Sequence, residues 1–460
     1  MRDFRPCADA SGKAALYDVV NCRIHYPSGG DLTASATEVP ATAVWKGGAV
    51  SSAADLSNPA NWDCFRPDGT AAPAGLVPTA QTTVVVTDVA DALLSIPSGV
   101  AVPEWGDVKI AASVTLPSAA DWSALGRLTL GKGVSVNLNG NTLNVTDFVA
   151  EGGGNASVVN SGASPVTMTL VGSGMSSLER ITLGDMVKLL KSGGGLLGVA
   201  SEYRIGADSR NVEMEIANGV YWMEGAIRLA YNAPGTLIIR DGAKVYVNDG
   251  SVGHNSGGVG TLNMTGGELS VKNNLWFGAF GTSVAAFNQS GGTAVIELSL
   301  RLAGANASST SAQGSFVQTG GTLQTGQIFQ GTGVATVVLD GGTLKPNKAA
   351  TDFFSNLRDV TLGANGVTID SAHNIGAVGT TITVQNGGKI VKTGAGEFDL
   401  SGLTVQMGEG TTSSFDFAVA GASAGGFTGV PTVPRSWKAK LSEDGKTCRI
   451  VRNGFAVIVK

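Results

Sequence analysis

The chain has 460 residues, a formal net charge of −5, 15% charged and 43% hydrophobic residues, 66 glycines and 15 prolines. That apolar content excludes a disordered chain, the scarcity of basic patches interleaved with aromatics argues against nucleic-acid binding, and no run of about 18 apolar residues exists to cross a membrane as a helix. Glycine falls between short Val/Ile/Leu/Thr segments, the spacing of many brief strands, and amphipathic helical stretches are almost absent.

Composition divides the chain into four parts. Residues 1–37 are richer in charge and aromatics than the segments after them. They hold Cys7 and Cys22, which could face each other across a hairpin, with unpaired thiols an equal alternative; Cys64 and Cys448 complete the set, too few for a disulfide framework and too scattered for zinc. Met1 to Cys7 lacks the apolar stretch of a secretory signal. Residues 38–105 carry Trp45, Trp62 and Trp105, and tryptophans are large enough to plug the open end of a stacked core. Residues 106–433 form the repeat region, and residues 434–460 alternate apolar and polar residues about the turn Glu443-Asp444-Gly445-Lys446, as a hairpin cap does.

The repeat is a phrase: an apolar run, one or two polar residues, a glycine pair, then Thr, Glu or Lys and an aliphatic residue. It stands at Thr265-Gly266-Gly267-Glu268-Leu269, Ser290-Gly291-Gly292-Thr293-Ala294, Thr319-Gly320-Gly321-Thr322-Leu323, Asp340-Gly341-Gly342-Thr343-Leu344 and Asn386-Gly387-Gly388-Lys389-Ile390. The steps from Gly267 to Gly292, Gly321 and Gly342 average 25 residues and range from 21 to 29. A period in that range marks a solenoid, in which each unit buries its apolar face only by stacking on the next. The sequence therefore predicts an all-β, single-stranded parallel β-helix with the glycines at its corners. About 13 rungs at about 4.8 Å each make a rod on the order of 60 Å long. The helix-like stretch that starts at Met175 is expected instead to form strands at Arg180–Leu183 and Val187–Leu190. Asn137, Asn139 and Asn141 are expected to share a strand face and stack with amides of neighbouring rungs.

Chemistry is hard to find in this pattern. A glycosidase needs two carboxylates within about 5–9.5 Å and a lyase needs a base, usually with calcium. The position of Asp241 is matched by spacing to Gly266, Gly291, Gly320 and Asp340, which stacks no acidic pair. Glu213 and Glu215, two apart on one strand face, and nearby Glu224 form the best acidic cluster; the simpler reading is a solvated face opposite inward Val212, Met214 and Ile216. His25, His254 and His373 lie far apart, as surface or turn residues do. No catalytic group, cofactor or metal is expected.

Three segments resemble known families. Asp3-Phe4-Arg5-Pro6-Cys7, Ser11-Gly12, Leu16-Tyr17-Asp18 and the exit from Tyr26 to Gly30 resemble the closing strands of a LamG-like, concanavalin-type jelly roll of bacterial surface proteins. Val44-Trp45-Lys46-Gly47-Gly48 with Asn58-Pro59-Ala60-Asn61-Trp62 is similar to the opening segment of autotransporter-like passenger β-helices. The repeat region resembles their rungs, as at Asn137-Leu138-Asn139-Gly140-Asn141, although only about 25 residues come after it where a transmembrane barrel would need at least eight strands. These resemblances imply a non-catalytic, extracellular or cell-surface bacterial stalk or adhesin-like scaffold. It would be a monomer that displays an upstream LamG-like domain, be preceded by a signal peptide, and meet surface glycans or proteins of neighbouring cells. A polysaccharide-degrading β-helix and a trimeric phage tail-fibre or spike segment are the alternatives.

Overall fold

A computed structural model describes residues 4–8, 14–18, 23–25, 38–46, 54–87, 92–95, 104–117, 122–151, 155–179, 181–199, 203–205, 211–411 and 414–453. Cys22, and with it the question of a Cys7–Cys22 bridge, lies outside them, as do Arg180 and residues 454–460.

The protein is an all-β parallel solenoid of about 12 turns, 52% strand and 1% helix. Strands stack in columns, each on its counterpart one turn away. One column runs through 13 strands from Trp122–Leu125 to Leu403–Met407, all parallel. Two six-stranded sheets complete the N-terminal turns, and a 21-stranded sheet, folded so that each turn contributes two short strands, completes the rest. The stretch after Met175 is Met175–Ser177, Ile181–Leu183 and Val187–Lys191, strands as expected.

Alternation explains the columns. In Val166–Leu170 the residues Val166, Met168 and Leu170 are buried between half-exposed threonines, and the same two-residue period repeats in almost every strand. Inward residues meet along the axis and across the core: Phe316 stands in register on Phe287 one turn away, centroids 5.2 Å apart, and Phe277 from the facing sheet lies 5.4 Å from Phe287, all three buried. The corners are built by the glycine pairs. Gly267, Gly292 and Gly321 each sit at φ +69°, and a Cβ on Gly321 would stand 2.6 Å from the carbonyl oxygens of Gly291 and Gly292 one turn below. Backbone conformation and close stacking both demand glycine there. The long 29-residue step is a loop inserted between Ala303 and Ala312, held by Asn306, whose Oδ1 accepts from Ser308 N at 3.1 Å and Ser309 Oγ at 2.7 Å.

At each end of the parallel stack one sheet is continued by antiparallel strands, which pair backbone groups that its last parallel strand would otherwise leave open. At the N-terminal end Trp62–Phe65 pairs antiparallel with Thr42–Trp45, itself already parallel to Thr83–Val86. Trp45, Trp62, Trp105 and Trp122 are all buried and meet edge to face in a chain, with centroids 4.8, 5.6 and 5.2 Å apart. At the C-terminal end the hairpin Trp437–Leu441 and Thr447–Arg452 pairs antiparallel with Phe415–Val419. Phe4–Ala8, Ala14–Asp18 and Arg23–His25 form a separate antiparallel three-stranded sheet.

Two expectations need correction. Asn137 ends a strand, Asn139 lies in a turn at φ +50° and Asn141 is buried beyond it, so the three do not share a strand face. They tie turns to backbone instead: Asn139 Nδ2 donates to Leu116 O at 3.0 Å and Asn141 Nδ2 to Pro117 O at 2.6 Å. The register also places Gln318 opposite Leu339, so Asp340 stands one position earlier than Gly320, beside Thr319, and is not the counterpart of Asp241. The conclusion that no acidic pair stacks there is unaffected.

Candidate functional site

Glu213 and Glu215 lie on Val212–Ile216 in the 13-stranded column, with Val212, Met214 and Ile216 buried inward as expected. The solvated face does not hold for Glu215, whose residue is only 7% exposed. The register explains why. Lys188 stands opposite Glu213 and Leu190 opposite Glu215 on one side, and Ile238 opposite Glu215 on the other. Lys188 Nζ bonds both carboxylates at 2.7 Å, and Arg240 Nε bonds Glu215 from the other side. Burial alone would raise the Glu215 carboxyl, but hydrogen bonds from Arg240 and Lys188 outweigh it and hold the group below its ordinary value. Burial likewise works against the Lys188 ammonium, and the two glutamates reverse it, leaving its pKa raised. A general acid needs the opposite displacement. This cluster is an ion-pair staple across three consecutive turns.

Glu224 is not brought to that cluster. It lies on Gly219–Leu229 of the 21-stranded sheet, exposed, in a groove of about 430 Å³ lined by Trp222, Tyr246, Asn248, Lys272 and Glu297 among others. Trp222 and Tyr246 are in register on adjacent turns, their ring centroids 5.7 Å apart and their planes tilted by 45°. Trp222 is 48% exposed, an uncommon position for the largest apolar side chain on an otherwise Ser/Thr/Asn-rich surface. Tyr246 pairs in turn with Ser270, and Trp222 with Gly198 on the opposite side. The 24-residue spacing of Trp222 and Tyr246 is one turn and was available in the sequence. It was hidden because these turns use Asn218-Gly219 and Asp241-Gly242 as corners, both glycines at positive φ, in place of the glycine pair.

Two other outward stacks staple the turns. Trp276, Arg301 and Phe329 are in register, with the guanidinium 5.0 Å from the Trp276 ring and 5.8 Å from Phe329. On the adjoining corner Arg204 covers Tyr231 at 4.2 Å, Tyr231 stacks on His254 and His254 meets Phe280 edge-on, each ring pair 5.1 Å apart. His254 is thus a half-buried member of a ladder, its Nδ1 2.7 Å from Ser251 Oγ, while His373 is an exposed turn residue. Amide pairs do link other turns: Asn288 Nδ2 donates to Asn263 Oδ1 at 2.9 Å outside, and inside Gln318 Nε2 lies 3.4 Å from Gln289 Oε1.

Among the described residues no group of three or more His, Cys, Asp or Glu side chains could hold a metal ion, and no helix is long and apolar enough to cross a membrane. Cys64 and Cys448 are buried free thiols, and burial pushes Cys448 up to about 11. Comparison with protein-family models, with curated proteins and with solved structures finds no match to this chain.

Proposed function

We propose that the chain is the non-catalytic rod of a secreted or surface-displayed bacterial protein, of the kind its autotransporter-like and LamG-like segments resemble. The observation that carries this reading is the continuity of the stack. About 12 turns share one core, and antiparallel strands finish one sheet at each end. Such a body transmits length and stiffness. The acidic cluster that an enzyme would use is instead spent on ion pairing, with Glu215 held ionised between two cations. An adhesin-like stalk carrying a LamG-like domain on its N-terminal side fits this geometry. A surface low in charge and rich in Ser, Thr and Asn suits exposure outside the cell.

Sedimentation velocity joined to small-angle scattering tests the reading. A monomeric rod on the order of 60 Å long supports it, and an intertwined trimer would assign the chain to the tail-fibre class. Release of unsaturated or reducing products from a panel of acidic and neutral polysaccharides, lost in Glu213→Gln, Glu215→Gln or Glu224→Gln, would make it an enzyme.

A further inference from the structure

Trp222 and Tyr246 stack across adjacent turns as the other outward ladders do, but their ladder stops at two rings and opens on a groove. Its construction points to a ligand. Trp222 and Tyr246 form a two-ring ledge, and the register places side chains too small to cover it at both ends. Below Trp222 is Gly198, where an added Cβ would meet nothing nearer than Ser176 O at 3.9 Å; above Tyr246 is Ser270. Each ring therefore keeps a bare face. Around the ledge stand Glu224, Asn248, Lys272 and Glu297. Asn248 lines the groove, and its Oδ1 accepts from Asn273 Nδ2 at 3.2 Å.

Flat apolar faces ringed by carboxylate, amide and ammonium groups match a sugar, whose axial C–H faces are apolar and whose equatorial hydroxyls both donate and accept. Two carboxylates against one ammonium disfavour a polyanion. The groove is also too small for a protein interface, which covers about 800 Å² per partner around an apolar centre. Trp222 is the single large apolar lining residue that is exposed. We infer that this ledge binds a neutral hexose glycan. Sugar rings pack on the bare faces of Trp222 and Tyr246, and their hydroxyls bond to Glu224, Asn248, Lys272 and Glu297. The site goes beyond the rod function and does not depend on it.

The test is calorimetric titration of the full chain with cellohexaose, β-1,4-mannohexaose and maltohexaose, with polygalacturonate as the anionic comparison. Binding of at least one neutral oligosaccharide is expected. Trp222→Ala should weaken it by about tenfold or more, equivalent to roughly 1.4 kcal/mol. Gly198→Val and Ser270→Trp, which cover the bare faces and leave Glu224, Asn248, Lys272 and Glu297 in place, should weaken it as much. Thermal unfolding of each variant checks that the fold is intact. No binding of any neutral oligosaccharide at millimolar concentration overturns the inference. So does binding that survives both Trp222→Ala and Ser270→Trp, or polygalacturonate binding at equal strength. Concentration-dependent sedimentation abolished by Trp222→Ala would also overturn it, because the ledge would then be a contact between copies of this chain.

Discussion

The turns between residues 104 and 199 and those between 211 and 346 build the same solenoid from different local rules. In the first region strands are mostly three to five residues long, as in Ser135–Asn137 and Leu143–Val145, and corners are irregular, tied by side chains such as Asn137, whose Nδ2 donates to Ser161 Oγ at 2.9 Å. In the second, strands such as Val259–Met264 and Gln313–Gln318 reach six residues, corners are Asn-Gly or Asp-Gly in the first turns and glycine pairs from Gly266 on, and like stacks on like: Phe on Phe, Gln on Gln, Asn on Asn. The parallel column needs only inward apolar residues at a period of two. Identical corners add a fixed register, and fixed register is what allows ladders of one residue type.

The largest effect should come from the interior. Phe316→Ala removes a fully buried ring that stands between Phe287 and Val337 in the column and should cost about 3–5 kcal/mol. Val136→Ala, at an equally buried site in a three-residue strand, should cost roughly 1–2 kcal/mol by the methylene groups lost. Urea unfolding followed at several probes measures both, since a long repeat array need not unfold in one step. A double-mutant cycle on Phe287 and Phe316 sharpens the contrast further, with an expected coupling of about 0.5–1.5 kcal/mol from direct ring contact. Coupling near zero would mean that the rings share a core but not a ladder.

The next effect separates the two kinds of corner. Gly321 and Gly133 have almost the same backbone, φ +69° and +70°, but a Cβ on Gly321 meets two carbonyl oxygens while one on Gly133 meets nothing within 4 Å. Gly133→Ala should cost the left-handed penalty alone, about 1–2 kcal/mol. Gly321→Ala carries that penalty and must also push two turns apart, so its midpoint in urea should fall clearly further. Equal losses would show that conformation, and not close stacking, selects glycine in the repeat phrase.

These cases also show what the sequence made legible. The glycine-pair phrase revealed the period because both of its constraints, positive φ and tight stacking, permit only one residue, so the code cannot drift. The alternation of Val212, Met214 and Ile216 revealed the inward face for a similar reason. Glu215 was misread as solvated because alternation says which way a side chain points and nothing about its neighbours. Its burial comes from Lys188, Leu190, Ile238 and Arg240, 23 to 27 residues away in sequence. The Trp222 groove was missed on the same ground: exposure of an aromatic ring depends on Gly198 and Ser270 in the adjoining turns, and their register is set by corners outside the repeat phrase. The asparagines at 137, 139 and 141 look like a ladder by spacing, but Asn139 and Gly140 turn the chain between them.

The smallest effect lies where the two regions meet. Lys188 belongs to the last turn of the first kind, Glu215 and Arg240 to the first turns of the second, and the ion pairs between them cross that junction. Because the folded carboxyl of Glu215 is held below its ordinary value of 4.5, its contribution is present above that pH and is lost as pH falls through the folded value. Stability measured by urea midpoint should therefore drop on acidification below about pH 4.5, and Glu215→Gln should flatten that limb while lowering the midpoint at neutral pH. The two proteins should converge in strong acid, where Glu215 is neutral in both states. If the variant keeps the wild-type acid limb, other carboxylates control it, and the junction is held by the shared apolar column alone.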